Sequence, residues 1–220
     1  DGYLNNYLYA WPVLKKYDIP AIIFLVTGQI GKNKMIWYDE LEYIIKKSKK
    51  NTSFEKTFKS LLNKDENKRS EILKNLKKRI KLGKNIPEEY TFMNWFQINE
   101  MRKEISFGSH SENHADFKNL NNKDIKNNIN LSNKKIINEI RKKPLSFCYP
   151  YGLYNKDKIK VIMNEYELAF SSEFGRNNKK TDRHLLQRIG IDLKDDLLIL
   201  AMKLSIIGNL FGKLKKKRFG

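Results

Sequence analysis

Runs of β-branched and aromatic residues at positions 20–26, 105–109, 145–149, 168–171 and 185–191 are separated by segments whose apolar residues recur with helical spacing. This alternation constrains the fold more than any other property of the chain. A strand reached through a helix returns to its sheet in the same direction as the strand before it. The pattern therefore predicts an α/β fold, a parallel sheet or barrel wrapped by helices. The expected helices span residues 8–17, 37–49, 66–82, 95–103, 122–140, 156–165 and 194–214. Residues 46–90 break the rhythm with consecutive helical patterns and no strand, which predicts a helical insertion inside one domain of residues 1–220. No repeat of 20 to 50 residues is present, which argues against solenoids and propellers.

Charge narrows the partners. Forty-four Lys and Arg against 25 Asp and Glu leave +19, enough to attract an anionic polymer. Hydrophobic residues at 40% exclude a disordered polycation, because that much apolar surface can be buried. The lysines are spread over nearly every helix instead of forming one stripe, and no nucleic-acid motif occurs, so nucleic acid is not an expected partner. An apolar stretch at 197–211 is interrupted by Lys203 and is shorter than the roughly 20 residues a spanning helix needs. With Lys213, Lys215, Lys216, Lys217 and Arg218 behind it, it can rest on an anionic membrane or glycan, or dock on the core with its basic tail in solvent. The chain opens at Asp1 with no charged leader or apolar signal region and reads as a portion of a longer protein. A cytoplasmic and a cell-envelope location both stay open.

Strand ends and their loops are where α/β folds gather chemistry. Directly after the run 105–109 comes His110-Ser111-Glu112-Asn113-His114. On a helical turn the four-residue spacing stacks two imidazoles on one face, where they can share a metal. The same spacing also describes two polar loop histidines. A catalytic divalent ion takes a third protein ligand and keeps a position for water. One cysteine and three histidines leave room for a single mononuclear site of mixed ligands. Cys148 lies in an apolar run and reads as a small buried side chain.

Three segments in order carry a resemblance. Asp1-Gly2-Tyr3, followed by Asn6, Tyr7, Ala10, Pro12 and then Ile19-Pro20-Ala21, resembles the first motif of the polysaccharide deacetylases, the NodB-homology or carbohydrate esterase family 4 enzymes. His110-Ser111-Glu112-Asn113-His114 resembles their H-[ST]-x-x-H motif, and Phe147-Cys148-Tyr149-Pro150-Tyr151-Gly152 their run ending in Pro-Tyr-Gly. The likeness extends from Asp1 to about Ile191 outside the insertion. It implies a distorted (β/α)7 barrel lacking its first strand. It also implies a hydrolase that removes N-acetyl groups from hexosamine in a glycan, with a divalent metal, zinc foremost, held by Asp1, His110 and His114. Tyr151 would offer its N–H to an oxyanion. The family's first motif reads Asp-Asp-Gly, so Asp1 matches the metal-binding aspartate and the general base would precede it. Loss of a positioned base costs about 10²–10⁴-fold in rate, so impaired activity is expected of these residues alone.

The chemistry is coherent: a carboxylate and two neutral imidazoles leave a divalent ion about one positive charge, enough to acidify water. Two departures accompany the likeness. Cys148 stands where many members have an arginine that orients the base, and no Leu-x-His supplies an acid. Arg188 and His184 are the candidates for those two roles, each equally readable as a strand-edge arginine and a solvated loop histidine; Asp192 is a further polar candidate. Trp37, Tyr38, Trp95, Tyr151 and Tyr154 could stack on sugar rings or pack in the core. Asp39 and Glu42 read as ordinary surface charges. The alternatives to an enzyme are a basic module for anionic polymers and a non-catalytic sugar-binding relative.

Overall fold

The computed structural model describes residues 1–48, 52–78, 80, 85–205 and 208. The chain forms two compact units, Asp1–Ser106 and Phe107–Gly220, and the division falls within strand β2 (Ile105–Ser109).

In the first unit the opening residues are built into the core. Asp1 C=O accepts from Val26 N–H at 3.2 Å, just past strand β1 (Ala21–Leu25), and Gly2 C=O accepts from Met93 N–H at 2.9 Å. Tyr3 forms an antiparallel bridge with Phe92 and stacks on its ring at 4.5 Å. Gly2 has φ +92°, and a Cβ there would lie 2.7 Å from Ile30 Cδ1. The left-handed conformation is what calls for glycine here, and a side chain would also have to displace the Ile30 methyl.

A π-helical turn at Asn6–Ala10 runs into α1 (Trp11–Lys16), so the expected helix 8–17 is two tandem pieces. Pro12 sits in the first turn of α1, at the junction with the π-helical turn. Three helices follow β1: α2 (Trp37–Ser48), α3 (Phe54–Leu62) and α4 (Glu66–Lys77). Ser53 and Asp65 cap the last two by accepting from the N–H of Lys56 and Lys68. Leu41, Ile44, Leu61 and Leu73 form their shared core, flanked by Trp37, Phe58 and Leu76. Helix α5 (Trp95–Met101) opens on a capping box between Asn94 and Gln97.

In the second unit β2, β3 (Ser146–Cys148), β4 (Leu168–Phe174) and β5 (Leu186–Arg188) are all parallel. This is the α/β architecture the alternation predicts. Ser109 pairs with Phe147, and Phe147 with Ala169. Helix α6 (Asn122–Ile140) links β2 to β3, and α7 (Lys156–Met163) links β3 to β4. Phe147, Phe117, Ile125, Ile129, Val161, Ile162, Tyr166 and Ala169 make one buried cluster between helices and sheet. Burial of apolar area on this scale is what holds such a layer together, at about 25 cal/mol per Å².

The last described helix, α8 (Leu197–Leu204), covers part of the expected span 194–214. Residues 206, 207 and 209–214 of that span lie outside the described residues, as do Lys49, Leu82 and the basic run 213–218. Among the described residues no helix is long and apolar enough to cross a membrane.

Candidate metal centre

Parallel pairing of β2 with β3 sets the loop that follows Ser109 beside the carboxyl end of β3. Two of the sequence motifs thereby become neighbours. His110 Nδ1 lies 2.6 Å from the carbonyl oxygen of Cys148, which can only accept, so Nδ1 carries the hydrogen. In the neutral ring Nε2 then bears the lone pair, and it faces His114 Nε2 at 3.2 Å. The two rings meet edge-on with centroids 4.6 Å apart, and the Tyr151 ring closes on His114 from another side at 4.3 Å.

Both imidazoles are buried, 7% exposed at His110 and 6% at His114. Burial, reinforced by the charge of the adjacent His110, holds His114 well below the ordinary histidine range and keeps it neutral.

These donors fit a tetrahedral ion. Two Zn–N bonds of ~2.0–2.1 Å opened to the tetrahedral angle hold their nitrogens ~3.3 Å apart. The observed Nε2···Nε2 separation of 3.2 Å matches that edge. A carbonyl partner on the far nitrogen is the usual support for a metal-ligating histidine.

The route to this pairing differs from the helical turn that the spacing suggests. Residues 110–114 form a loop, with Ser111 at φ 69° and His114 at φ 55°, both left-handed. The chain doubles back on itself, and that reversal brings the second ring onto the first.

Tyr151 also lies in the left-handed region, at φ 57° and ψ 4°, followed by Gly152 at φ 67°. A Cβ on Gly152 would overlap the Ser172 side chain. Gly152 N–H donates to Tyr149 C=O at 2.9 Å, which closes the turn after β3. A bulky residue in this conformation costs about 1–3 kcal/mol and is found most often at functional sites.

In the first unit, Asp1 Oδ2 accepts from Tyr38 OH at 2.7 Å, a partner that motif reading does not reveal. The neighbouring Asp39 pairs with Tyr3 OH at 2.8 Å and is 8% exposed, which corrects its reading as a surface charge. Burial raises its carboxyl to about 7. Glu42 is likewise engaged, with Lys46 at 3.2 Å and Tyr90 OH at 3.0 Å.

The other candidates are held by main-chain and ionic partners of their own. His184 Nε2 lies 2.9 Å from Tyr166 C=O and its Nδ1 3.7 Å from Asp182, so the ring is held against the main chain just before β4. Arg188 is an exposed residue of β5 whose Nε–H donates to Ser171 C=O at 2.7 Å. Asp192 joins Asp195 around Lys203. Cys148 is buried, as its apolar run predicts. Trp37 is no open sugar platform: Phe58 stacks on it at 5.1 Å and the Arg69 guanidinium lies 4.5 Å from its ring. Tyr154 leans on Tyr149 and donates to Glu173 at 3.3 Å, and partly buried Trp95 begins α5.

Comparison with known proteins gives one consistent result. A family model described as polysaccharide deacetylase matches residues 1–169. A poly-beta-1,6-N-acetyl-D-glucosamine N-deacetylase of Staphylococcus aureus is 26% identical over 159 residues, covering 70% of this chain. The chain spans 38% of that relative's length. Among solved structures, a deacetylase of Streptococcus pyogenes, PplD, aligns over 93% of this chain and 67% of its own, with TM-score 0.62 and 17% identity. A de-N-acetylase from Aggregatibacter actinomycetemcomitans aligns over 91% of this chain and 71% of its own, with TM-score 0.57 and 20% identity. These two likenesses concern the fold.

Proposed function

Because the chain belongs to the polysaccharide deacetylase family, we propose that it hydrolyses N-acetyl groups on a polymer of N-acetylated hexosamine, using a divalent metal, zinc, held by Asp1, His110 and His114. The observation that carries this reading is the pair of buried imidazole nitrogens 3.2 Å apart, one with its tautomer fixed by Cys148 C=O. The relative named for poly-beta-1,6-N-acetyl-D-glucosamine supports an N-acetylglucosamine polymer as the substrate class.

A zinc ion in such a site supplies Lewis acidity that makes water a nucleophile near neutral pH. The chain's own residues do the rest. His114 presents a nitrogen lone pair because burial favours its neutral form, and at His110 the Cys148 carbonyl holds the hydrogen on Nδ1, so that Nε2 is the nitrogen turned to the site. Asp1 contributes the anionic ligand, its carboxylate oriented by the Tyr38 hydroxyl. Tyr151 lends its main-chain N–H to the oxyanion that forms when water adds to the acetyl carbon; the proton that water loses passes through a general base to the amine, which departs as the C–N bond breaks and acetate is released.

The test has two readouts. Zinc titration of the protein is expected to give one site, lost in His110→Ala and in His114→Ala. Acetate release from β-1,6-linked N-acetylglucosamine oligomers, at a rate about 10²–10⁴-fold reduced for want of the family's general base, is expected to stop with a chelator and return with zinc. Zinc binding unchanged in both histidine variants, or acetate release indifferent to chelation, would overturn the reading.

A further inference from the structure

We propose that Asn128, Ser132 and Lys135 of α6 are positioning residues that set the spacing of the two imidazoles, an inference that rests on the metal-site reading above. The three stand at i, i+4 and i+7 and so form one row along the helix. Each grips a different part of the loop that carries the histidines.

Asn128 Oδ1 accepts from Glu112 N–H at 2.9 Å, and its Nδ2 donates to Asn113 Oδ1 at 3.0 Å. Lys135 Nζ pairs with Glu112 Oε1 at 2.6 Å. Ser132 and Ser109 share a hydrogen bond between hydroxyls at 2.9 Å, and Ser109 Oγ in turn accepts from Ser111 N–H at 3.3 Å. Every residue between His110 and His114 is therefore tied to this row, Glu112 and Asn113 directly and Ser111 through Ser109.

The loop needs such restraint. Ser111 and His114 hold left-handed conformations that side-chain-bearing residues adopt reluctantly, so the reversal persists only where its surroundings enforce it. Ser132 is wholly buried, and Asn128 and Lys135 are partly covered. The main-chain N–H of Glu112 is satisfied by the Asn128 side chain, which makes that amide a structural substitute for a turn hydrogen bond. Once Asn128 is truncated, the loop can relax and the nitrogens drift from the separation a tetrahedral ion requires.

The experiment uses the whole chain and Zn²⁺ alone, with Kd read by competition against a chromophoric chelator and Co²⁺ absorption as a record of coordination geometry. Asn128→Ala is expected to weaken Zn²⁺ binding about 10–100-fold and to alter the Co²⁺ spectrum. Asn128→Asp keeps the acceptor for Glu112 N–H and lets Asn113 turn its amide to donate, so it is expected to restore most of the affinity. Lys135→Met, at a partly exposed position that tolerates change, is expected to weaken binding by a smaller factor and serves where Asn128→Ala does not fold. Wild-type Kd and spectrum in both Asn128→Ala and Lys135→Met, with binding lost in His110→Ala, would overturn the positioning role and leave the metal site standing. Wild-type binding in His110→Ala would remove the metal site itself, and this inference with it.

Discussion

His110 donates its Nδ1 hydrogen to the main-chain carbonyl of Cys148 across 2.6 Å. The bond joins the loop after β2 to the end of β3, and it uses the carbonyl of Cys148, which any residue at that position would supply. Cys148→Ala is therefore expected to keep zinc affinity, whereas His110→Ala and His114→Ala each lower it by more than about 100-fold. Competition titration of the three variants separates an imidazole site from one that recruits the thiol.

Tyr38→Phe removes the donor that lies 2.7 Å from Asp1 Oδ2. Zinc affinity is expected to fall about 10-fold, the scale of losing one outer partner of a ligand. Isothermal titration with zinc checks this, and an unchanged affinity would count against Asp1 as a ligand.

Gly152→Ala meets Ser172 and keeps φ at +67°. The expected loss is about 2–4 kcal/mol, combining a left-handed alanine with overlap. Adding Ser172→Gly should return the overlap part and leave the conformational part. Urea unfolding of the two single variants and the double gives that coupling directly.

Asp39 gives a pH dependence with a definite sign. Burial pushes its carboxyl up to about 7, with Tyr3 and Lys46 pulling it down and Glu42 pushing it up. The folded state then binds the proton more tightly than the unfolded chain, whose aspartate titrates near 3.9. The stability this contributes is whole below about pH 4 and is lost as pH rises through about 7. Asp39→Asn should flatten that decline, raising the melting temperature at pH 8 relative to the parent and changing it little at pH 4. Melting curves across this range decide it.

Much of the second unit is legible in its sequence. Helix α6 has the bounds its pattern predicts, because Asn121 caps it through Asp124 N–H and Ile125, Ile129, Ile136 and Ile140 keep one buried stripe. Strand β2 is legible because a β-branched and aromatic run ends in a polar loop. The histidine pair is visible from its spacing, but its geometry is not, since the left-handed turns at Ser111 and His114 depend on partners on α6 about 15 residues or more ahead in the chain. Asp39 is misread for a related reason: its partner, Tyr3, is 36 residues away, and helical periodicity carries no information about such a contact.

The crossover from β2 through α6 to β3, with the turn at Gly152, has one more implication. Residues 105–152 supply both imidazoles, the carbonyl that orients the first, the helix that clamps the loop and the Tyr151 ring. The stretch is one crossover, yet its packing is borrowed from the chain that follows: Phe147 pairs with Ala169, Tyr166 OH donates to Asn133 of α6, and Gly152 lies against Ser172. A different sequence beyond Gly152 would therefore take away the strand and the core side chains that hold the Cys148 carbonyl under His110, so the two-nitrogen half of the centre is inherited only together with β4.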